Sequence, residues 1–167
     1  MTAIIKCQKE IVKGSDILGR FENSIQIRAP PEKVWEMLAL DRVLEWEEGW
    51  KGTLKSVEYT SEVRTPKDKL RVGATAHGTS KKKGGFDFEI TESLENEKMA
   101  YRFLYGKMAH VLVTYILEPV EEGTKFTYVI DYELLSILWK IFGKLLTVGA
   151  TREYERSLKN FKSILEK

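Results

Sequence analysis

From residue 21 the side chains alternate in character: Phe21, Asn23, Ile25 and Ile27 fall on one side, and Glu22, Ser24, Gln26 and Arg28 on the other. That period of two predicts a half-buried strand. Ala29-Pro30-Pro31 stops it, and a proline is well placed at a helix's first position, where its missing N–H is not needed. Glu32 then suits the positive helix end. A helix is predicted from about Pro31 to Leu40, with Val34, Trp35, Leu38 and Met37 forming an inward stripe. Asp41 to Trp46 reads as a second short helix or turn.

The next eighty or so residues return to a period of two. Candidate strands run from about Lys51 to Val63, Arg71 to Lys82, Gly84 to Leu94, Lys98 to Leu104, Ala109 to Glu118 and Lys125 to Leu134. Between them lie Pro66-Lys67-Asp68, Gly84-Gly85, Glu95-Asn96-Glu97, Tyr105-Gly106-Lys107 and Pro119 to Gly123, all with turn chemistry. Links this short make an antiparallel meander, because a parallel crossover needs about a dozen residues or more. From about Leu134 to Glu166 the chain reads as one long helix. In its first half Ile137, Leu138, Ile141, Phe142, Leu145, Leu146 and Val148 cover an apolar arc of about 200°. Its second half narrows to a stripe of Tyr154, Leu158, Phe161 and Leu165. Residues 1–20 carry little periodicity and are assigned to an N-terminal extension, leaving 21–167 as the domain.

Composition adds boundaries rather than direction. A chain of 167 residues suits one domain able to bury about 70% of its unfolded surface. A net charge of +2, from 27 basic and 25 acidic residues, does not mark a nucleic-acid protein. The basic run Lys81-Lys82-Lys83 reads as a solvated hairpin tip. Cys7 is alone, which excludes an intramolecular disulfide and suits a reducing compartment. Lys6, Lys9 and Glu10 interrupt the first apolar residues, unlike a signal peptide, so the expected location is cytoplasmic.

Strand, two short helices, six strands and a long helix form an order that resembles a known superfamily. The run Ile25-Gln26-Ile27-Arg28-Ala29-Pro30-Pro31-Glu32-Lys33-Val34-Trp35 is similar to the opening of the proteins that include START lipid-transfer domains, polyketide cyclases and pollen-allergen helix-grip proteins. Trp50, Val72-Gly73, Gly123-Thr124 and Leu158 to Glu166 match further on. The resemblance implies an α+β helix-grip fold: a curved seven-stranded antiparallel sheet wrapped around a long C-terminal helix, with two short helices after the first strand. It also implies a cavity for lipids, polyketides or other apolar ligands. Its motifs are structural and do not decide between binding and chemistry.

No Gly-rich phosphate loop, metal-ligand spacing or nucleophile motif stands in the sequence, and neither a cofactor nor a catalytic residue is expected. His77 and His110 carry no Asp, Glu or Ser beside them in a recognisable arrangement, and read as structural or exposed. Glu89 and Asp131 alternate with apolar neighbours and read as outer-face charges; Arg102 points opposite Tyr101 and Phe103. The inward set is rich in aromatics: Phe86, Phe88, Tyr101, Phe103, Phe126, Tyr128 and Tyr132. Tyrosine couples an apolar body to a polar tip, which suits orientation of an apolar ligand. On the third strand either Ala74, Ala76 and Gly78 or Thr75, His77 and Thr79 face inward.

The expected ligand-binding residues are Trp35, His77, Phe86, Phe88, Tyr101, Phe103, Tyr115, Tyr128, Ile130, Phe142 and Leu146. The leading functional expectation is non-catalytic binding or transport of a lipid, isoprenoid or polyketide-like molecule. The alternatives are a cyclase or aromatase-like enzyme using His77, His110 or Tyr115, and a ligand-free interaction domain. The chain is expected as monomer or homodimer. Trp139, with Lys140 beside it and Lys144 one turn on, has the composition of an interfacial anchor and suggests transient membrane contact as ligand passes. Liposome flotation is the measurement for that contact: the unmodified protein is expected to float with vesicles and Trp139→Glu or Phe142→Glu to stay behind, whereas no lipid association together with a monomeric mass would refute it.

Overall fold

The computed structural model describes residues 19–105, 109–135 and 137–167; the side chains at 105 and 137–150 lie outside what it describes. The extension at 1–18 and the side chains of Trp139, Lys140, Phe142, Lys144 and Leu146 fall outside the described residues. Gly19 and Arg20, assigned above to the extension, instead begin the first strand.

Seven strands form one sheet: β1 (Gly19–Ile27), β2 (Leu54–Tyr59), β3 (Thr75–Ser80), β4 (Gly85–Leu94), β5 (Lys98–Tyr105), β6 (Ala109–Val120) and β7 (Gly123–Leu134). Their order is β1-β7-β6-β5-β4-β3-β2, and every pairing is antiparallel. The meander therefore runs from β2 to β7, and β1 closes onto β7 with Phe21 opposite Ile130 and Ile27 opposite Thr124. Gly123 opens β7 at φ +118, and a Cβ there would lie 2.1 Å from the Ile27 carbonyl oxygen. Only glycine permits that approach, which seats the β6–β7 turn against the end of β1.

Helices α1 (Pro31–Glu36), α2 (Val43–Trp46) and α3 (Glu48–Thr53) lie between β1 and β2, and α4 (Ile137–Leu165) follows β7. Several expected boundaries move. The first helix ends at Glu36, because the amides of Met37 and Leu38 turn back onto the Val34 and Trp35 carbonyls, each three residues behind, in a tightened last turn. The strand expected from Lys51 begins at Leu54, because the Glu47 side chain caps Gly49 and extends a third helix to Thr53. The strand expected from Arg71 begins at Thr75, after Gly73 reverses the chain at φ +81. The long helix starts at Ile137, since pairing with β6 keeps β7 extended to Leu134.

The concave face is the core. Trp46, fully buried, lies with ring centroids 4.4 Å from Phe161, 5.7 Å from Tyr115, 6.1 Å from Tyr128 and 6.2 Å from Phe126. The second half of α4 packs as its stripe predicts, with Leu158, Phe161 and Leu165 buried. Asn160 Nδ2 donates to the Trp46 carbonyl at 3.1 Å, tying that helix to α2. At the Ile27 end α1 rests on β6 and β7, and Lys33 Nζ donates to the Leu165 carbonyl at 3.0 Å. The third strand turns Ala76 and Gly78 inward. A Cβ at Gly78 would meet Leu54 and Phe88 at 2.8 and 2.9 Å, so small residues here admit the larger side chains of neighbouring strands.

The outer face corrects one expectation. Asp131 faces outward, but it is only 4% exposed and pairs with Arg20 across β1–β7, Nη1 to Oδ1 at 3.3 Å. Burial raises its pKa although the guanidinium pulls it down. Glu89 is half-buried and bound to Arg102 at 2.6 Å. Trp35 is 7% exposed under α1. Its replacement in Trp35→Ala is expected to cost about 3–5 kcal/mol in urea unfolding, and a change below about 1 kcal/mol would place it at the surface.

Candidate functional site

The junction between α2 and α3 carries an acid into the interior. Glu47 ends α2, donating its N–H to the Val43 carbonyl at 2.8 Å, and opens α3, accepting at its own carbonyl from Lys51 N at 3.0 Å. Trp46 on one side enters the core and Trp50 on the other enters a ring cluster, so the side chain between them is drawn in and left 2% exposed. Glu47 Oε1 accepts from the Gly49 amide at 3.3 Å, satisfying one of the open donors of α3, and lies 3.3 Å from Ser157 Oγ on α4. Ser157 Oγ also accepts from the Glu48 amide at 2.9 Å and sits 2.9 Å from the Glu153 carbonyl. With a single proton, that hydroxyl serves Glu153 or Glu47 but not both; a protonated Glu47 supplies its own donor.

Burial pushes the Glu47 carboxyl up from 4.5 to about 7; its hydrogen bonds from Gly49 and Ser157 pull down by less, and the charges of Glu153 and Glu48 push the same way. At neutral pH it therefore exists in both protonation states, able to exchange a proton or to pair with a cation. Three inner-face tyrosines respond to it. Burial raises the phenols of Tyr101, Tyr115 and Tyr128, and the charge of Glu47 raises each further. Tyr101 and Tyr115 hydroxyls are 3.3 Å apart.

The rings form a belt across the concave face. Trp50 is 5.4 Å from Phe86, 5.3 Å from Phe88 and 5.0 Å from Phe103. The contacts continue from Phe88 to Tyr101 at 6.0 Å, Tyr101 to Tyr115 at 5.8 Å, Tyr115 to Tyr128 at 5.1 Å and Tyr128 to Tyr154 at 5.6 Å. Tyr154 meets Phe21 at 4.7 Å. Phe86, Val111 and Phe21 are half-buried, so this face keeps accessible apolar surface beside its buried rings.

Of the expected site residues, the structure gathers Phe86, Phe88, Tyr101, Phe103, Tyr115 and Tyr128 into this belt, with Ile130 buried on the same face. Among the described residues Trp35 enters none of the ring contacts that link them. His77 is corrected: it points to the outer face, 45% exposed, because Ala76 and Gly78 take the inner positions. Each histidine also has a carboxylate beside it that linear sequence did not reveal. His77 Nδ1 is 2.7 Å from Asp87 on β4, and His110 Nδ1 is 3.8 Å from Glu133 on β7, both directly opposite in the strand pairing. Phe142 and Leu146 lie outside the described side chains. Among the described residues no three His, Cys, Asp or Glu side chains cluster as a metal site requires.

Glu47, Trp50 and Ser157 are the site residues that sequence reasoning missed. The signal was Trp46 and Trp50 at helical spacing with two acids between them, although the pattern does not say which acid turns inward.

This fold and interior place the chain in a defined class. Residues 19–166 match the family described as polyketide cyclase / dehydrase and lipid transport, and the chain belongs to it. No curated protein matches the sequence. Among solved structures, a protein from Chromobacterium violaceum aligns with TM-score 0.61 at 17% identity over 89% of this chain and 97% of its own. A protein of unknown function from Staphylococcus aureus gives 0.66 at 13% identity over 89% and 93%, and one from Mesorhizobium loti 0.58 at 19% over 87% and 98%. These similarities establish the helix-grip architecture.

The raised carboxyl carries a sign that can be measured. Folded and unfolded Glu47 are both neutral at low pH; above 4.5 the unfolded group ionises first, so folding stability falls until pH passes about 7. Glu47→Gln removes this term. Between pH 4 and pH 8 the variant is expected to gain about 3 kcal/mol relative to the unmodified protein in urea unfolding. Equal stability differences at the two pH values would mean that Glu47 ionises as an ordinary surface acid.

Proposed function

We propose that the chain binds an apolar small molecule, lipid, isoprenoid or polyketide-like, against the concave face of its sheet and releases it unchanged. The observation that carries this reading is the ring belt with half-buried Phe86, Val111 and Phe21 beside it. A concave, mainly apolar wall with few convergent polar groups is the usual form of a small-molecule site. Inner-face positions on the described strands are mostly apolar or tyrosine, with Asn23, Ser80, Ser93 and Thr124 as the polar exceptions and Gly19 and Gly78 as the glycines, and the convergent polar groups include Glu47, Ser157 and the tyrosine hydroxyls. Family membership supports the reading at the level of lipid transport or cyclisation.

No described helix is long and apolar enough to cross a membrane. The proposed carrier acts in the cytoplasm, consistent with its lone Cys7, and meets a membrane or partner transiently through the first half of α4, the reading that Trp139 and its lysines support.

A second reading, a cyclase-like enzyme, is favoured by one observation: a carboxyl titrating near neutrality beside buried phenols has the proton affinity of a general acid or base. Organic extraction of the purified protein followed by mass spectrometry separates the two. The carrier reading expects one apolar compound at near-stoichiometric yield, recovered unaltered after incubation, and at least about tenfold less of it from Val111→Trp, which fills the concave face. A folded Val111→Trp protein that retains the compound would move the ligand elsewhere, and conversion of the compound on incubation would establish the enzyme.

A further inference from the structure

The interior holds a buried carboxylate whose counter-ion the chain does not provide among its described residues. Glu47 Oε1 has two partners, the Gly49 amide and the Ser157 hydroxyl, and both are uncharged. The charges that act on it most, Glu153 and Glu48, are carboxylates themselves. Glu47 Oε1 and the Oε2 of Glu153, an exposed residue of α4, lie 3.3 and 3.7 Å from where a Cβ on Gly49 would stand, so the nearest charge on the solvent side is a second acid. Arg, Lys and His on the described strands point outward, as Arg20, His77, Lys98, Arg102, His110 and Lys125 show by pairing with outer-face acids. An ionised carboxylate in such a place is costly unless a cation joins it.

The surroundings suit a particular cation. The charge of Glu47 acts on the Tyr101 and Tyr115 phenols, whose hydroxyls lie 3.3 Å apart, and aromatic rings attract ammonium groups, more strongly once water is excluded. A carboxylate or phosphate head would instead meet the Glu47 carboxylate as a like charge, with no described cation inside to offset it. A neutral head would gain hydrogen bonds alone.

We infer that the ligand of this site is an apolar amine, whose protonated nitrogen pairs with the Glu47 carboxylate while its hydrocarbon body lies along the ring belt from Trp50 to Tyr128. The inference rests on the apolar-ligand reading and narrows it to one head-group chemistry. Glu47 is faced by Ser157 and Glu153 from α4, by Tyr101, Tyr115 and Tyr128 from the sheet, and by Glu48 on its own helix. The phenols, raised by burial, stay neutral throughout the physiological range, so the Glu47→Gln variant isolates the carboxyl's share of any pH dependence.

Isothermal titration with 4-phenylbutylamine, 4-phenylbutanol and 4-phenylbutyrate tests this, because the three share a body and differ in head group. At pH 8 the amine is expected to bind at least about tenfold more tightly than the alcohol, and the carboxylate most weakly. Lowering the pH to 5 is expected to weaken the amine about 100-fold as Glu47 takes up its proton, and Glu47→Gln to bring amine and alcohol within about twofold of each other. The pH series on the unmodified protein stands even if the variant does not fold. An alcohol or carboxylate binding as tightly as the amine, or an amine affinity independent of pH, overturns the amine inference alone. Failure of all three probes to bind overturns the apolar-ligand reading with it.

Discussion

A single bent sheet buries its concave face only if something fills the curve, and the packing of Trp46 against Phe161, Phe126, Tyr115 and Tyr128 is the interaction on which that closure turns. The indole sits between strands β6 and β7 and the second half of α4, with its Nε1 donating to the Met37 carbonyl at 3.2 Å. One side chain thus holds sheet, long helix and the short-helix segment together. Rings of that size contribute both area and edge-to-face geometry, each pair about 0.5–1.5 kcal/mol beyond burial.

That closure divides the concave face. Toward β1 and β7 the end of α4 and Trp46 make a filled core with Ile27, Phe126, Leu158, Phe161 and Leu165 buried. Toward β4 and β5 the wall is built from Trp50, Phe86, Phe88, Phe103 and Tyr101, and Glu47 lies at the boundary because α2 and α3 meet there. The same two tryptophans that complete the core therefore place the acid. Its position follows from packing on either side of it.

Much of this was legible in the sequence where a local rule applies. Period-two patterning located β4 to β7 within a few residues, and Pro31 after Ala29-Pro30 set the first helix. The inner aromatics followed from alternation alone, since Tyr101 and Phe103 share a face whatever their partners are. What escaped depended on contacts between distant segments. Whether Ala76 or His77 faces inward is decided by Phe88 and Leu54 occupying the space at Gly78. Asp131 reads as a solvated charge until Arg20 is set opposite it, and the acids beside His77 and His110 appear only with strand register. Glu47 escaped because a short helix of mixed composition has no pattern strong enough to orient its polar residues.

The cost of Glu47 is itself informative. Every other buried acid or base among the described residues with a paired partner has one of opposite charge: Asp131 has Arg20, and Lys98 has Glu92 at 2.7 Å. A glutamine could cap Gly49 and meet Ser157 with the same geometry and without the charge, so capping alone gives no reason for an acid. Local rules are commonly broken where a protein keeps a function at the expense of stability. An acid held near neutrality among phenols, where an amide would serve the fold better, is therefore the position at which this chain departs from stability, and the ligand's polar head is the partner that would restore the balance.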